Sequence, residues 1–179
     1  MRMGRYRKYR VYKRGQIVLV NFKPQVGTEF SLTHLAIVLS KNDTELGTKI
    51  TVIPLSSKYH PEYLDLGEFL YSEIQPQLKN LRSMVAKGLT RFKLGDKKSM
   101  RAAEFQNFIA DLTELYDIVQ IYKSKNKTTY AVMNNITTIS KKRIIPYKNK
   151  RDPLYTLIVS DQIMSLIDAS LIQNFTNAR

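Results

Sequence analysis

Thr28, Glu29 and His34 stand between two apolar runs, and Ser56, Ser57 and Lys58 close or follow a third. An imidazole of reference pKa ~6.5 exchanges protons near neutral pH. A carboxylate such as Glu29 serves as a base or holds the second nitrogen of an imidazole. The Ser56 and Ser57 hydroxyls and the Lys58 ammonium donate to anionic oxygens. Together these groups supply general acid–base chemistry with electrostatic support. Plainer roles stand beside that one. His34 reads equally as a packed residue beside an apolar strand, Ser56 as a hydroxyl satisfying backbone groups in a turn, and Glu29 as a solvated loop carboxylate. His60, near Ser56 but followed by Pro61, reads as a surface histidine.

The elements that must position these residues are strands. Ile17–Phe22, Leu35–Leu39 and Ile50–Leu55 are apolar, β-branched runs of strand length, bounded by Gly, Pro, Asn or Asp. That pattern predicts an antiparallel meander. The candidate polar residues fall in its loops, where a rigid scaffold presents reactive groups.

Farther along, Glu62–Leu70 alternates like a short strand, and two helices interrupt the pattern. The first is predicted over Pro76–Lys87, with Leu78, Leu81 and Val85 at helical spacing and Gly88 at its end. The second carries Phe105, Phe108, Ile109, Leu112, Leu115, Tyr116 and Val119 on a 3,4-spaced stripe, with Asp96 or Ser99 to cap it. Tyr130–Met133 and Ile136–Ile139 form a strand broken at Asn134-Asn135. A final helix runs from Asp161, with Ile163, Leu166, Ile167, Ser170, Leu171 and Phe175 along one face.

Net charge is the compositional outlier: 29 Lys+Arg against 15 Asp+Glu gives +14 over 179 residues. Such a field attracts phosphate polyanions, although it also suits acidic proteins. Residues 1–14 hold seven basic residues, no acid, and Tyr6, Tyr9 and Tyr12 at a spacing of three. A phosphate-tracking arm with stacking rings looks like this, and so does a solvated terminus. Lys141-Lys142-Arg143 with Lys148, Lys150 and Arg151 reads as a second basic patch. The apolar fraction of 43% fits a globular chain. Without cysteine there is no disulfide framework and no thiolate metal site, and two histidines make a structural metal site improbable. No apolar run approaches the ~18–20 residues that span a bilayer, and the basic N-terminus lacks a signal-peptide core. The expectation is a cytoplasmic protein without a membrane partner.

The stretch Arg14–Lys58 resembles the opening half of the MazF/PemK family of toxin–antitoxin endoribonucleases. The family's elements stand here as Arg14-Gly15, the strand Ile17–Phe22, Pro24, the turn Val26-Gly27-Thr28-Glu29, the strand Ala36–Ser40 and Pro54-Leu55-Ser56. Tyr130–Arg143 resembles its later strand and following segment, and Asp161–Phe175 sits where the family carries a terminal helix. Residues 60–129 match poorly. The implied fold is α+β, mainly β: a small, strongly curved antiparallel β-barrel of the PemK/CcdB type with an inserted helical pair and a C-terminal helix. In that frame residues 1–13 are a basic flexible arm, and 14–179 are a single domain with its insertion at about 71–125.

The resemblance implies metal-independent cleavage of single-stranded mRNA, with no cofactor and growth arrest as the outcome. The 2′-OH attacks its own phosphate, leaving 2′,3′-cyclic phosphate and 5′-OH ends. The family's catalytic Ser/Thr falls on Ser56, and its acidic first-loop residue on Glu29. Its catalytic Arg falls on His34, a departure. Arg supplies a permanent charge and a fork of donors; His exchanges protons but grips phosphate less. The change therefore either makes acid–base catalysis more conventional or marks an altered activity. Carried over in the same way, Thr28, Phe30, Ser57, Lys58, Asn135 and Thr137 are RNA-binding candidates, with Phe30 able to stack a base and Asn135 able to read an edge. Implied partners are single-stranded RNA, a cognate acidic antitoxin and a second copy in a homodimer. Two other readings stay open: a non-catalytic toxin on the same fold, like CcdB, and an RNA-binding module working through its N-terminal arm.

Overall fold

The β-branched runs become the central strands of a seven-stranded antiparallel sheet. The computed structural model describes residues 8–22, 32–93, 106–107, 109–110, 113, 128–147, 152–155 and 157–176. The chain divides into two compact units, one of residues 1–67, 128–150 and 154–179, the other of 68–127 and 151–153.

The first unit holds every strand: β1 (Ile17–Asn21), β2 (Thr33–Val38), β3 (Lys49–Ser56), β4 (Leu64–Asp65), β5 (Tyr130–Ala131), β6 (Thr137–Ser140) and β7 (Ile144–Ile145). Their hydrogen-bonded order is β4-β5-β3-β2-β1-β7, with β6 also on β3. The long strand β3 takes β2 on one side, and β6 and then β5 on the other. Closure of the expected barrel is not among the pairings of the described residues. What stands is an antiparallel sheet, mainly β, with a C-terminal helix α2 (Asp161–Phe175).

Alternation along the strands sends one set of side chains to a common face. Val18, Val20, Phe22, Ala36, Val38, Ile50, Val52, Ile139 and Ile144 form a buried cluster there, with Tyr12 packed against it. The opposite face is also covered, since Ile17, Ile37, Ile53 and Leu55 are buried. This explains why the central strands read as continuous apolar runs.

Helix α2 follows a strand-like stretch bonded to the start of β1. Ile17 N–H donates to Leu157 O at 2.9 Å, and Val159 N–H donates to Gly15 O at 3.0 Å. Ser160 caps the helix by accepting the Ile163 N–H at 3.4 Å, the capping role serine favours. Arg14 bonds to Asp168 of α2 and to the Leu39 carbonyl.

Of the basic arm expected over residues 1–13, the described residues 8–13 are bonded to the body. Tyr9 N–H donates to Glu45 O at 2.8 Å, Tyr12 N–H to Asp43 at 2.8 Å, and Arg10 to the Tyr155 carbonyl at 3.1 Å. The Arg10 guanidinium also lies 4.3 Å from the Tyr155 ring centre, a cation–π distance.

Lys141, expected in a basic surface patch, is instead buried. Its ammonium lies 2.7 Å from Asp43 and donates to the carbonyls of Thr44 at 2.8 Å and Arg10 at 3.0 Å. Its partner is as deeply buried and also accepts from Tyr12 and Thr44 N–H groups. Burial of a charge demands such pairing, and the run of basic neighbours concealed it. The patch positions Lys148, Lys150 and Arg151 lie outside the described residues.

Several boundaries moved. The strand expected over Glu62–Leu70 shrinks to β4, because Asp65 accepts the Gly67 N–H at 2.7 Å in a tight turn with Gly67 at φ +64°. In the second unit, helix α1 (Phe69–Lys93) starts before and ends beyond the predicted Pro76–Lys87. Pro76 sits inside it, where it cannot donate to the Ser72 carbonyl and its ring crowds that oxygen, while Phe69, Ile74 and Leu78 are buried. The second inserted helix lies mostly outside the described residues; Gln106, Asn107, Ile109, Ala110 and Thr113 are helical. The break expected at Asn134-Asn135 is a 3₁₀ turn, Met133–Asn135, separating β5 from β6.

Candidate active site

His34 lies in β2 paired with Val20 of β1, so it shares the face of the Val18–Val20–Ala36 cluster. In the pairing of β2 with β3, Val38 faces Val52, Ile37 faces Ile53 and Ala36 faces Pro54. Each step back along β2 matches one step forward along β3. The same register, continued two residues past the last of these pairs, would align His34 with Ser56. Alternation then puts the two residues on one face, at one end of the sheet. Thr137 faces Val52 and belongs to the same face.

The geometry at this end follows from where the strands stop. The Phe22 N–H donates to Leu32 O at 2.8 Å and closes the hairpin from which β2 starts. Leu32 is exposed and has φ +69°, a left-handed conformation that costs a non-glycine residue about 1–2 kcal/mol. Strain of this kind two residues before His34 was not legible from the run of polar residues around it. Beyond Asn21, Arg143 donates to the Phe22 carbonyl at 3.4 Å and brings a partly buried cation to the same end of β1.

Ser56 ends β3, half-buried, and its hydroxyl is engaged locally. It accepts the Lys58 N–H at 3.0 Å and donates to the Lys58 carbonyl at 3.3 Å. The second bond is long, so the proton that would serve a phosphate oxygen is held only weakly. Ser57 and Lys58 are exposed in the bend that follows. Asn135 is half-buried in the 3₁₀ turn, its N–H donating to Val132 O at 3.1 Å. Thr28, Glu29 and Phe30 lie outside the described residues. Strand alternation thus assigns His34, Ser56 and Thr137 to one face, with Ser57 and Lys58 in the bend that follows β3.

His60 reads as expected, exposed and engaged in its own turn: its Nδ1 accepts the Glu62 N–H at 3.3 Å. Tyr130, not a site candidate from the sequence, pairs directly with Ser56. Among the described residues no group of three or more His, Asp or Glu stands together as a metal site. No described helix is long and apolar enough to cross a membrane.

An antiparallel sheet carrying polar residues at the exit of β3 and the start of β2 defines a small mainly-β protein with a strand-end site. Residues 13–87 match the family model of the PemK-like, MazF-like toxins of type II toxin–antitoxin systems. The match runs through β1–β4 into α1, so it includes His34 and Ser56 but neither Asn135 nor Thr137. No curated protein matches the chain.

Proposed function

We propose that this protein is the toxin of a type II toxin–antitoxin system, a metal-independent endoribonuclease that cleaves single-stranded mRNA and arrests growth in the cytoplasm. What supports the reading is the β2–β3 register, whose continuation beyond the Ala36–Pro54 pair aligns His34 with Ser56 inside the family-matched segment. In the reaction a base removes the proton of the ribose 2′-OH, and the 2′-oxygen attacks the adjacent phosphorus. The bond from phosphorus to the 5′-oxygen breaks, and an acid protonates that oxygen. The products are a 2′,3′-cyclic phosphate and a 5′-OH end. His34 exchanges the proton, with Glu29 as the base or as the group that orients the imidazole. Ser56 donates to a non-bridging phosphate oxygen while negative charge builds there. Thr28, Phe30, Ser57, Lys58, Asn135 and Thr137 hold the strand.

Partners follow from the same reading. A +14 chain is suited to RNA and to an acidic antitoxin segment that competes for the same groove. A homodimer belongs to the same reading, and Ile172 and Phe175, three positions apart on α2, are exposed apolar residues open to a second copy.

Cleavage of a defined RNA in EDTA by wild type, His34→Ala and Ser56→Ala across pH tests the reading. Wild type should leave 2′,3′-cyclic phosphate ends, with a bell-shaped dependence of rate on pH that either substitution removes. His34→Ala should lose about 10²–10⁴-fold, the range for a general acid–base group. One feature favours a second reading, a CcdB-like toxin that binds without cutting: histidine replaces the family's arginine while Ser56 is engaged by Lys58. RNA left intact by wild type, with growth still arrested, selects that reading.

A further inference from the structure

Beside Ser56 stand aromatic side chains that the cleavage chemistry does not use. Tyr130 of β5 is the backbone partner of Ser56, and residues so paired carry Cβ atoms about 4.5–5.5 Å apart on one face. Tyr59 returns to the same place from the bend after β3. Its ring centroid lies 5.9 Å from that of Tyr130, with the planes at 73°. An edge-to-face contact fixes the outer ring by its rim or one face and leaves flat aromatic surface open. Here the outer ring is Tyr59, 73% exposed, while Tyr130 behind it is half-buried.

The backbone under Tyr59 is braced. The Tyr63 N–H donates to His60 O at 3.0 Å, and the Glu62 N–H donates to His60 Nδ1 at 3.3 Å. Asn134 donates to the Glu62 carboxylate at 3.0 Å, which ties the turn to the 3₁₀ turn after β5. The His60 and Tyr63 rings lie 4.9 Å apart. An exposed tyrosine is ordinary on a protein surface. This one is held on a bonded turn, backed by a second ring, next to an exposed Lys58 and the hydroxyl at the end of β3.

We infer that Tyr59, backed by Tyr130, is a stacking subsite for one unpaired nucleobase of single-stranded RNA, adjoining the phosphate position at Ser56. The inference rests on the endoribonuclease reading and adds to it a site for a neighbouring nucleotide. An aromatic face accepts every base, so the subsite contributes affinity and positioning with little choice of sequence. The Lys58 ammonium supplies charge for the phosphate that links the stacked nucleotide to the cut one.

Binding of a 2′-O-methyl RNA, which lacks the attacking hydroxyl, is measured for wild type, Tyr59→Ala, Tyr59→Phe, Tyr130→Leu and Tyr130→Phe. A matched abasic oligonucleotide retains the phosphates and omits the bases. Tyr59→Ala should weaken the 2′-O-methyl RNA by about 5- to 150-fold, the measured range for loss of one base stack. It should leave abasic binding unchanged, and Tyr59→Phe should bind as wild type does. Tyr130→Leu should weaken the RNA more than Tyr130→Phe. Thermal midpoints of the Tyr59 variants near that of wild type separate the effect from unfolding. Unchanged RNA binding by Tyr59→Ala, or equal weakening of the RNA and the abasic strand, overturns the subsite alone. A wild type that binds no RNA overturns the endoribonuclease reading and the subsite with it.

Discussion

His34 and Lys141 are both basic side chains in motif-like surroundings, and their positions in the sheet decide their roles. His34 sits at the start of β2, where the apolar face runs out toward solvent. Lys141 lies just past β6, at the opposite end of the sheet, with its ammonium shared among Asp43, Thr44 and Arg10. Removing one partner of a buried pair strands the other charge, a loss of about 3–5 kcal/mol. Lys141→Ala should therefore lower the urea midpoint strongly. Lys141→Met/Asp43→Leu should recover part of the loss, because an apolar pair leaves no charge unpaired. Tyr12 supplies a pH test of the same region. Burial, with smaller contributions from Asp43 and Tyr155 and against the opposing effect of Arg10, raises its phenol above the ordinary 10.0. The folded state therefore keeps that proton to higher pH than the unfolded chain. The resulting stability is complete below about pH 10 and is lost as pH rises through the folded value. Tyr12→Phe should make the alkaline fall in stability shallower, as followed by circular dichroism.

At the scale of elements, two glycines show how local backbone and tertiary approach differ. Gly15, at φ +80°, precedes β1, and a Cβ there would meet Ile158 at 3.2 Å and Val159 at 3.4 Å. Gly67, at φ +64°, ends the turn after β4, and a Cβ there would meet nothing within 4 Å. Gly67→Ala should cost about 1–2 kcal/mol from the left-handed backbone alone. Gly15→Ala should cost more, because the strand-like 157–159 stretch that precedes α2 must also give way. Denaturant midpoints of the two variants measure the difference. The same contrast separates what was legible along the chain. The strands β1–β3 and helix α2 were readable, because β-branched runs and a 3,4-spaced stripe are local signals. The true start of α1 was not, since Pro76 marks a boundary in isolation and here lies inside a helix anchored by buried Phe69, Ile74 and Leu78 on both sides of it.

At the scale of the molecule, charge and apolar surface are distributed differently. The chain carries +14, yet α2 holds no Lys or Arg, only Asp161 and Asp168, and exposes Leu166 and Ile172. A second copy can meet this helix without bringing lysine or arginine side chains of α2 together. If the proposed homodimer uses this helix, Leu166→Asp/Ile172→Asp should shift it to monomer in light scattering while leaving its circular dichroism unchanged. A wild type that is monomeric at all accessible concentrations removes the dimer from the proposed function.

The chain's own order of residues settled the strand-forming runs, the terminal helix, the basic surplus and the family resemblance of Arg14–Lys58. All of these are written in neighbouring residues or in totals. Which polar residues share a face was decided only by pairing across the sheet. Register is a relation between segments far apart in the chain, and a slip of one residue would send His34 and Ser56 to opposite faces. For the same reason nothing near Lys141 in the sequence announced Asp43, and nothing near Ser56 announced Tyr130: each partner arrives from a strand or loop tens of residues away, brought there by hydrogen-bonded backbone.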